Sequence, residues 1–267
     1  KALIDKGYSP EVLALTATPI PRTLAFTIHG DMNISIIDEL PKNRRPIITK
    51  VVEPDHMDKV YDFMRKEMYA GQQCFVIYPI IEESEKMDLK ASDTGYKKLS
   101  ETIFNNCNVG YIHGRMKKEN RDNQMASMAN NKIQCLVSTT VVEVGIDIPN
   151  ATVMVIENAE RFGLTQLHQL RGRIGRGDKQ SYCILVKHSD NLEAKHRLKI
   201  MESTSNGFKI SDEDLKLRGP GDFFGTKQHG YIRSKLANFI EDGPIIRKTR
   251  KRAFEMVEYD PKLDHGQ

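Results

Sequence analysis

Residues 153–186 read VMVIENAERFGLTQLHQLRGRIGRGDKQSYCILV, and this stretch decides the fold. Two short runs at 153–156 and 182–186 are rich in β-branched and other apolar residues, which is typical of buried strands. Between them, apolar residues recur at helical spacing from residue 164 to 174. A strand, a helix and a second strand in this order predict one βαβ unit of a parallel sheet.

The helical part of this unit carries two arginines among glycines. Arg173 and Arg176 stand three residues apart, so one helical turn would point both side chains to the same side. Arginine stays charged and binds phosphate oxygens through parallel N–H groups, which suits a triphosphate. Gly172, Gly175 and Gly177 favour that interpretation, because glycine destabilises a helix by about 1 kcal/mol and tends to mark the close approach of another group. A solvated cationic helix end is the alternative.

Strands and helices alternate through the whole middle of the chain. Helical patterns separate the strand-like runs, as where Val60, Met64 and Met68 recur every four residues. The sequence therefore predicts an α/β fold in which helices flank a parallel sheet. Predicted strands cover 47–52, 74–79, 109–113, 134–139, 153–156 and 182–186, and predicted helices include 96–104, 118–128 and 164–174.

Polar candidates for a site follow the ends of these strands, where parallel sheets bind ligands. Threonines at such positions either cap a helix or bind a phosphate. Gly145 and Asp147 lie further along one such loop, where the carboxylate would accept from sugar hydroxyls or only shape a turn. The residues directly after strands are Thr16, Thr18, His113, Arg115, Thr139 and Thr140.

Changes of composition predict the domain boundaries. Residues 38–46 combine two prolines with charges and show no periodicity, which is typical of a linker, so we place a boundary near Arg45. A second boundary follows Val186, where the alternation of strands and helices ends. The predicted parts are residues 1–45, 46–188 and 189–267.

The last part contains three different segments. Residues 191–204 predict a charged helix, and residues 208–231 are rich in glycine and charge, with little periodicity. A further helix is expected after Pro244. It carries a basic cluster at 247–252, which either binds DNA or forms a solvated face.

Composition excludes several classes of protein. No apolar run approaches the roughly 20 residues of a membrane span, so we expect a soluble protein with no membrane contact. The four cysteines are far apart and three fall in or beside strand-like runs, which favours small buried thiols in a reducing cytoplasm over a metal site. A net charge of +4 permits a polyanionic partner without requiring one.

Four motifs occur in order along the chain and together identify a family. They are TATPIPRT at 16–23, HGRM at 113–116, STTVVEVGIDIPNA at 138–151 and QLHQLRGRIGRG at 166–177. The set resembles the second half of a superfamily 2 helicase motor, and its wording is close to the branch that translocates on branched double-stranded DNA. The resemblance implies a RecA-like lobe and the use of ATP.

The resemblance also implies two groups of site residues. The first group binds ATP and comprises Gly145, Asp147, Gln169, Arg173 and Arg176. Within it, Arg173 and Arg176 are the candidate catalytic arginine fingers that reach ATP across a cleft. The group for DNA binding or for coupling comprises Thr16, Thr18, His113, Arg115, Thr139, Thr140, Arg218 and Gln228.

Two further stretches resemble the translocation motif of this branch, a helical hairpin followed by a loop. They are DLKLRGPGD at 214–222 and GTKQHG at 225–230. By resemblance, Arg218 and Gln228 are the polar residues through which movement of the lobe becomes movement of DNA. Without the resemblance, the same stretch reads as a glycine-rich surface loop.

Two expected parts of such a motor are missing from the sequence. No GxxxxGK[ST] phosphate loop occurs, and the acidic pairs at 38–39 and 213–214 do not end an apolar strand as a magnesium-binding box does. The resemblance assigns ATP cradle and Mg²⁺ to a missing first motor lobe, and fork splitting to a missing N-terminal wedge. We therefore expect the full protein to remodel stalled forks and recombination junctions, and this chain alone to be inactive.

Two alternatives stay open at this point. One is a transcription-repair coupling translocase of the same branch, which the wording of TATPIPRTLA and RGPGDFFGTKQHG disfavours. The other is a noncatalytic nucleic-acid-binding module.

Overall fold

The computed structural model describes residues 44–80, 85–139, 148–223 and 242–261, together with residues 13, 35–37 and 39. In chain order the described elements are β1 (Ile48–Val52), α1 (Met57–Tyr69), β2 (Gln73–Tyr78), α2 (Glu85–Lys97), β3 (Val109–Ile112), α3 (Lys118–Ala129), β4 (Cys135–Thr139), β5 (Ala151–Ile156), α4 (Leu164–Arg171), β6 (Tyr182–Val186), α5 (Leu192–Ser203), α6 (Gly207–Phe223) and α7 (Gly243–Tyr259). A π-helical stretch, Lys98–Ile103, extends α2.

The six strands form one parallel sheet in the order β1-β6-β5-β2-β4-β3. The α/β prediction is confirmed, and every predicted strand lies within two residues of an observed one at each end. Strands β2, β4 and β5 are buried along nearly their whole length. Helices cover both faces of such a sheet, so its central strands are continuous apolar runs, which is why they are easy to recognise in the sequence.

Each face of the sheet has its own core. On one face, residues such as Phe75, Leu136 and Met154 pack with the apolar sides of α3, α4, α5 and α6. On the other face, Val76 and Val155 and their neighbours pack with α1, whose Val60, Met64 and Met68 are buried as their spacing predicts. The loops that carry the candidate site residues lie at the two edges of the sheet, where strands begin and end.

Two helix predictions had wrong bounds. The helix predicted for 164–174 ends at Arg171, because Gly172 caps it and Gly175 takes a φ of +71°, which no α-helix accommodates. The helix predicted for 96–104 begins at Glu85 and becomes π-helical at Lys98. The Gly- and charge-rich segment 208–231 is helical up to Phe223, which agrees with the helical hairpin that the resemblance implies and not with the alternative of a surface loop.

Helix α6 is capped at its start but shows little apolar periodicity in its sequence. The Asn206 side chain accepts hydrogen bonds from the backbone N–H groups of Phe208 and Lys209, at 2.9 and 3.2 Å, and so caps the helix. The buried face of α6 includes Asp214 as well as Ile210 and Leu215, so apolar periodicity is interrupted. None of the helices in the described residues has the length and apolar character that a bilayer crossing needs.

Candidate functional site

Helix α4 places the two predicted arginines at the edge where the strands begin, here called the amino edge. The helix starts near the end of β5, where the Gln166 side-chain oxygen accepts from the Gly163 N–H at 3.0 Å. It packs Leu164 and Leu167 into the core and runs back along the sheet. The connection at 172–177, here called the arginine loop, therefore lies just before β6 at the amino edge.

Contacts to the backbone brace the arginine loop on several sides. The Arg44 Nε–H donates to the Gly175 carbonyl at 3.0 Å. A Cβ added at Gly175 would come within 3.0 Å of Ile47, and one at Gly177 within 2.8 Å of the Pro149 carbonyl oxygen. The close approach that the glycines predicted is found at Gly175 and Gly177 but not at Gly172, and the approaching groups belong to the protein itself. The approach at Gly177 also joins the arginine loop to the end of the 138–151 motif.

The arginines themselves lie on this loop and not on a helix. Arg173 is half-buried and makes no side-chain hydrogen bond or ion pair with any residue that the structure describes, whereas Arg176 is exposed. Gln169 is exposed on the last turn of α4. The prediction that one helical turn carries both arginines is wrong, because the helix has ended before either of them.

A third arginine, Arg171, is buried at the root of the loop with only 3% of its surface exposed. Its Nη1 donates to the Thr49 hydroxyl at 3.2 Å, the Met201 carbonyl at 2.9 Å and the Thr204 carbonyl at 3.0 Å. Its Nη2 lies 3.2 Å from Nδ1 of His168. This one side chain thus links α4 with β1 and with the end of α5.

The imidazole of His168 is neutral at physiological pH. Burial, and then the positive charge of Arg171, lower the pKa of His168 to about 4. A neutral imidazole leaves Nδ1 free to accept the hydrogen bond from the Arg171 guanidinium. The low pKa of His168 and the contact between Arg171 Nη2 and His168 Nδ1 are therefore consistent with each other.

The opposite edge, where the strands end, carries a different set of polar groups. Ile112 of β3 pairs with Ser138 of β4, so His113 and Thr139 follow side by side at this carboxyl edge. The His113 ring lies 5.2 Å from the Tyr111 ring. His113 Nδ1 and the Thr139 hydroxyl are buried and have no hydrogen-bond partner among the described residues. Seven other buried side-chain atoms of the described residues also lack a partner, but these two lie together at the end of neighbouring strands, where a ligand would satisfy them.

The other half of the carboxyl edge is occupied by ion pairs. Lys187, after β6, lies 2.9 Å from a Glu53 oxygen and 2.6 Å from an Asp190 oxygen. His188 Nε2 lies 3.0 Å from Glu157 Oε2. Acids surround the cations here, so a phosphate would meet repulsion near β1 and β6. The exposed Arg115 beside His113 instead favours the β3–β4 side.

Helices α5 and α6 form a hairpin that packs against α4. The Thr165 hydroxyl donates to Asp214 Oδ2 at 3.0 Å, across the start of α4 and the middle of α6. The Arg197 Nη2 donates to the Glu160 carbonyl at 3.0 Å. A cleft of about 340 Å³ lies between the hairpin and the loop before α4. The hairpin and the helix that leads to the arginine loop are therefore in direct contact.

Comparisons with known proteins now identify the family. A family model described as "Helicase conserved C-terminal domain" matches residues 55–178. A second, described as "ATP-dependent DNA helicase RecG, domain 3, C-terminal", matches residues 204–267. The ATP-dependent DNA helicase RecG of Synechocystis sp. is 51% identical over 98% of this chain. The chain belongs to the RecG helicase family.

Other RecG proteins agree with this assignment. RecG of Bacillus subtilis is 47% identical over 97% of the chain. A solved structure of RecG bound to a three-way DNA junction matches with a TM-score of 0.68 and 44% identity, over 86% of this chain and 30% of that one. The fold is thus that of a RecA-like helicase lobe with a helical appendage. The chain spans 32% of the Synechocystis RecG and 38% of the B. subtilis RecG, about a third of each.

Several of the residues predicted from the RecG-like motifs fall outside the described residues. The structure brings His113, Arg115 and Thr139 to the carboxyl edge, and it places Gln169, Arg173 and Arg176 at or near the amino edge. The two groups are therefore separated by the length of the strands. Those outside the description are Thr16, Thr18, Thr140, Gly145, Asp147, Gln228 and the side chain of Arg218.

Sequence reasoning passed over Arg171, although a signal was present. Leu164, Leu167 and Arg171 follow each other at i, i+3 and i+7, which puts the arginine on the buried stripe of α4. A charged residue on an apolar stripe indicates a buried cation with specific partners. The glycines in this stretch lie beside Arg173 and Arg176, so they indicate a site at those two arginines and not at Arg171.

Proposed function

We propose that this chain supplies the second motor lobe and the helical hairpin of an ATP-dependent translocase that remodels branched double-stranded DNA. Its substrates would be stalled replication forks and recombination junctions. The observation that carries the proposal is the arginine loop, on which Arg173 stands without a side-chain partner among the described residues while the backbone around it is braced. The RecG structure with a three-way junction supports branched DNA as the substrate.

ATP would bind at the amino edge, between this lobe and a first motor lobe. Arg173 and Arg176 would then neutralise the charge that develops on the transferred phosphoryl group, and Gln169, Gly145 and Asp147 would contact the nucleotide. An arginine finger is worth about 10³–10⁵ in rate. Bracing of the loop matters because such a side chain must be in place before the charge develops.

Mg²⁺ would accompany the nucleotide but does not fit the described part of this lobe. Among the described residues, no three His, Cys, Asp or Glu side chains lie close enough together to hold a metal ion. The sequence also lacks a GxxxxGK[ST] phosphate loop. We therefore assign the phosphate cradle and the ion to the first lobe and derive no step through the metal.

DNA would bind at the carboxyl edge on the β3–β4 side. His113, Arg115 and Thr139, with Thr140 after them, would contact backbone phosphates, which fits the unpartnered polar atoms and the exposed cation found there. Contacts of this kind hold any sequence and weaken as salt rises. A translocase needs both properties, because it must bind each successive base pair alike.

Movement would pass between the two edges through the hairpin and the residues beyond it. Arg218 and Gln228 would convert lobe movement into DNA movement, and Thr16 and Thr18 would link the nucleotide state to DNA contacts. In this scheme residues 1–45 end the first lobe, residues 46–188 form the second lobe and residues 189–267 carry the translocation motif. The contact between Thr165 and Asp214 supports a mechanical link from lobe to hairpin.

The test is DNA-stimulated ATP hydrolysis by the full-length protein that contains this chain. We expect Arg173→Ala to lower kcat by about 10³-fold or more, the lower end of an arginine-finger effect. Lys179→Ala is the matched control, because Lys179 is an exposed cation in the same connection between α4 and β6. The 267-residue chain alone should hydrolyse no ATP.

Three results would contradict the proposal. Arg173→Ala with wild-type kcat would remove the arginine loop from the chemistry. Steady hydrolysis by the isolated chain would show that a nucleotide site is complete within it. A full-length protein that binds DNA without any hydrolysis would instead be the noncatalytic nucleic-acid-binding module.

A further inference from the structure

Arg171 is bonded in a way that a simple core residue is not. Its guanidinium is almost fully buried, yet all four partners found for it are neutral: the Thr49 hydroxyl, the Met201 and Thr204 carbonyls and the His168 imidazole. Burying a charge without a counter-charge is unfavourable, and an apolar side chain would fill this position of α4 at lower cost. The cation at this position is therefore stabilised by its directed hydrogen bonds and not by a counter-charge.

The carbonyls that Arg171 binds belong to the end of α5 and to the turn of the hairpin. Met201 lies in the last turn of α5, and Thr204 follows the helix. Carbonyls at a helix C-terminus carry partial negative charge, which explains how a guanidinium is stabilised there without an acid. Asn206, two residues beyond Thr204, caps α6. Arg171 therefore holds the turn from which α6 begins.

The same residue is the root of the arginine loop. The Gly172 N–H donates to the His168 carbonyl at 3.0 Å, and the Arg173 N–H donates to the Leu170 carbonyl at 2.9 Å. The backbone around Arg171 is thus fixed up to Arg173. A shift of the Arg171 side chain moves the start of the loop and the turn of the hairpin together.

We propose that Arg171 is a positioning residue that ties the arginine loop to the turn of the α5–α6 hairpin, so that these two parts of the lobe hold one fixed relation during the motor cycle. His168 orients it by accepting from Nη2, and Thr49 holds it to the sheet. This inference rests on the proposed function, since the loop must serve ATP hydrolysis for its position to affect the rate.

The first experiment compares Arg171→Lys with wild type in the full-length protein. Lysine keeps the charge but loses the planar fork that reaches His168 and the hairpin at once. We expect kcat for DNA-stimulated ATP hydrolysis to fall by about 10- to 100-fold, the range that a misplacement of about 1 Å produces. KM for ATP should change by less than about threefold, because ground-state binding is not the target.

Hydrogen exchange supplies a readout that does not depend on ATP. In Arg171→Lys, the amides of Gly172, Arg173 and Thr204 should exchange faster together, because the tie that protects both segments is lost. Lys50→Gln is the control. Lys50, Arg171 and Thr204 line one shallow cleft beside β1, and Lys50 pairs there with Glu202 at 3.7 Å.

A pair of His168 variants tests the orientation of Arg171 and replaces the first experiment if Arg171→Lys does not fold. His168→Asn keeps an acceptor near the position of Nδ1, whereas His168→Leu removes it. We expect His168→Leu to lower kcat severalfold and His168→Asn to restore most of it. A role limited to packing would show no such rescue by the polar variant.

The outcomes separate this inference from the proposed function. Wild-type kcat and wild-type exchange in Arg171→Lys would overturn the inference, as would equal losses in the two His168 variants. If Arg173→Ala keeps full activity, the proposed function fails, and hydrogen exchange alone then tests whether Arg171 ties the loop to the hairpin. Faster exchange in both segments of Arg171→Lys would support that tie, and faster exchange in the loop alone would overturn it.

Discussion

The arginine loop at the amino edge and the β3–β4 side of the carboxyl edge differ in how their polar groups are held. At the amino edge, Arg171 has four partners and Arg44 binds the backbone of the arginine loop. At the carboxyl edge on the β3–β4 side, His113 Nδ1 and the Thr139 hydroxyl have no partner among the described residues. The arginine loop and its root are therefore held by the protein's own atoms, whereas these two groups on the β3–β4 side retain capacity for hydrogen bonds. The buried side-chain oxygens of Gln72, Thr152 and Ser181, near the starts of β2, β5 and β6, also lack a partner among the described residues.

This difference fits the different tasks proposed for the two edges. Catalysis of phosphoryl transfer needs groups fixed before the reaction, so a braced loop is appropriate at the amino edge. A surface that tracks DNA must form and release contacts repeatedly, so unpartnered groups suit the carboxyl edge. The half of that edge near Lys187 and Glu157 is already ion-paired, which confines the capacity to β3 and β4.

After the loss of Arg173 itself, the largest expected effect comes from disturbing the bracing of the arginine loop at the amino edge. Gly177→Ala places a Cβ 2.8 Å from the Pro149 carbonyl oxygen, so the arginine loop must move. We expect kcat for DNA-stimulated ATP hydrolysis to fall on the order of 10²-fold, as for other displacements of about 1 Å. DNA affinity should stay within about twofold of wild type, because the carboxyl edge is untouched.

Gly172→Ala is the matched control for this change. Its added Cβ meets nothing closer than 3.4 Å, and its φ of −66° suits alanine. We expect near wild-type kcat. Equal losses in both alanine variants would mean that glycine in this loop is needed for flexibility and that bracing is not the reason.

A smaller effect is expected from removing a cation at the carboxyl edge. Arg115→Gln should weaken binding to a branched duplex by severalfold, and it should lower the slope of log K against log salt by about 1, the loss of one phosphate contact. The measurement is a salt titration of DNA binding by the full-length protein. The kcat at saturating DNA should change little.

Lys132→Gln makes the same change of charge at the opposite edge. Lys132 is an exposed cation after α3, just before β4 begins. If long-range attraction alone explained DNA binding, both variants would lose affinity alike. A loss confined to Arg115→Gln would place the phosphate contact on the β3–β4 side.

The sheet could be predicted from the sequence because its signal is local. Each central strand is a short apolar run with helices on both faces. The runs at 134–139 and 182–186 can therefore be recognised as strands from the sequence alone. Helix ends were harder, since α4 ends at Arg171 although the apolar spacing continues to the buried Ile174. The periodicity of α6 is weak because Asp214 lies on its buried face, so only the resemblance implied a helix there.

Only the site residues that lie in recognisable motifs could be predicted from the sequence. The arginine loop and the His113–Arg115 segment follow from the wording of their motifs. His113 and Arg115 also lie at the carboxyl edge, where parallel sheets bind ligands, whereas the arginine loop lies at the amino edge. Arg171 does not follow from any motif. Its partners lie 122 residues before it, at Thr49, and 33 residues after it, at Thr204, and only the folded chain brings them together.

The smallest expected effect concerns the pH dependence of the amino edge. Burial and Arg171 lower the pKa of His168 from 6.5 to about 4, so the folded protein binds fewer protons here than the unfolded chain between these values. The contribution to stability is therefore complete above pH 6.5 and is lost as the pH falls towards 4. Since the ring is partly exposed, we expect a Tm difference of about 2–4 °C between pH 7 and pH 5 from this group.

Thermal unfolding of wild type and His168→Asn across pH 4–8 isolates this contribution, because asparagine does not titrate. The wild type should lose more Tm than the variant on acidification, and the two curves should run parallel above pH 6.5. Curves that stay parallel throughout would show that His168 titrates alike in the folded and unfolded chains. The contact with Arg171 would then not hold the imidazole neutral, and the amino edge would be less tightly satisfied than its geometry indicates.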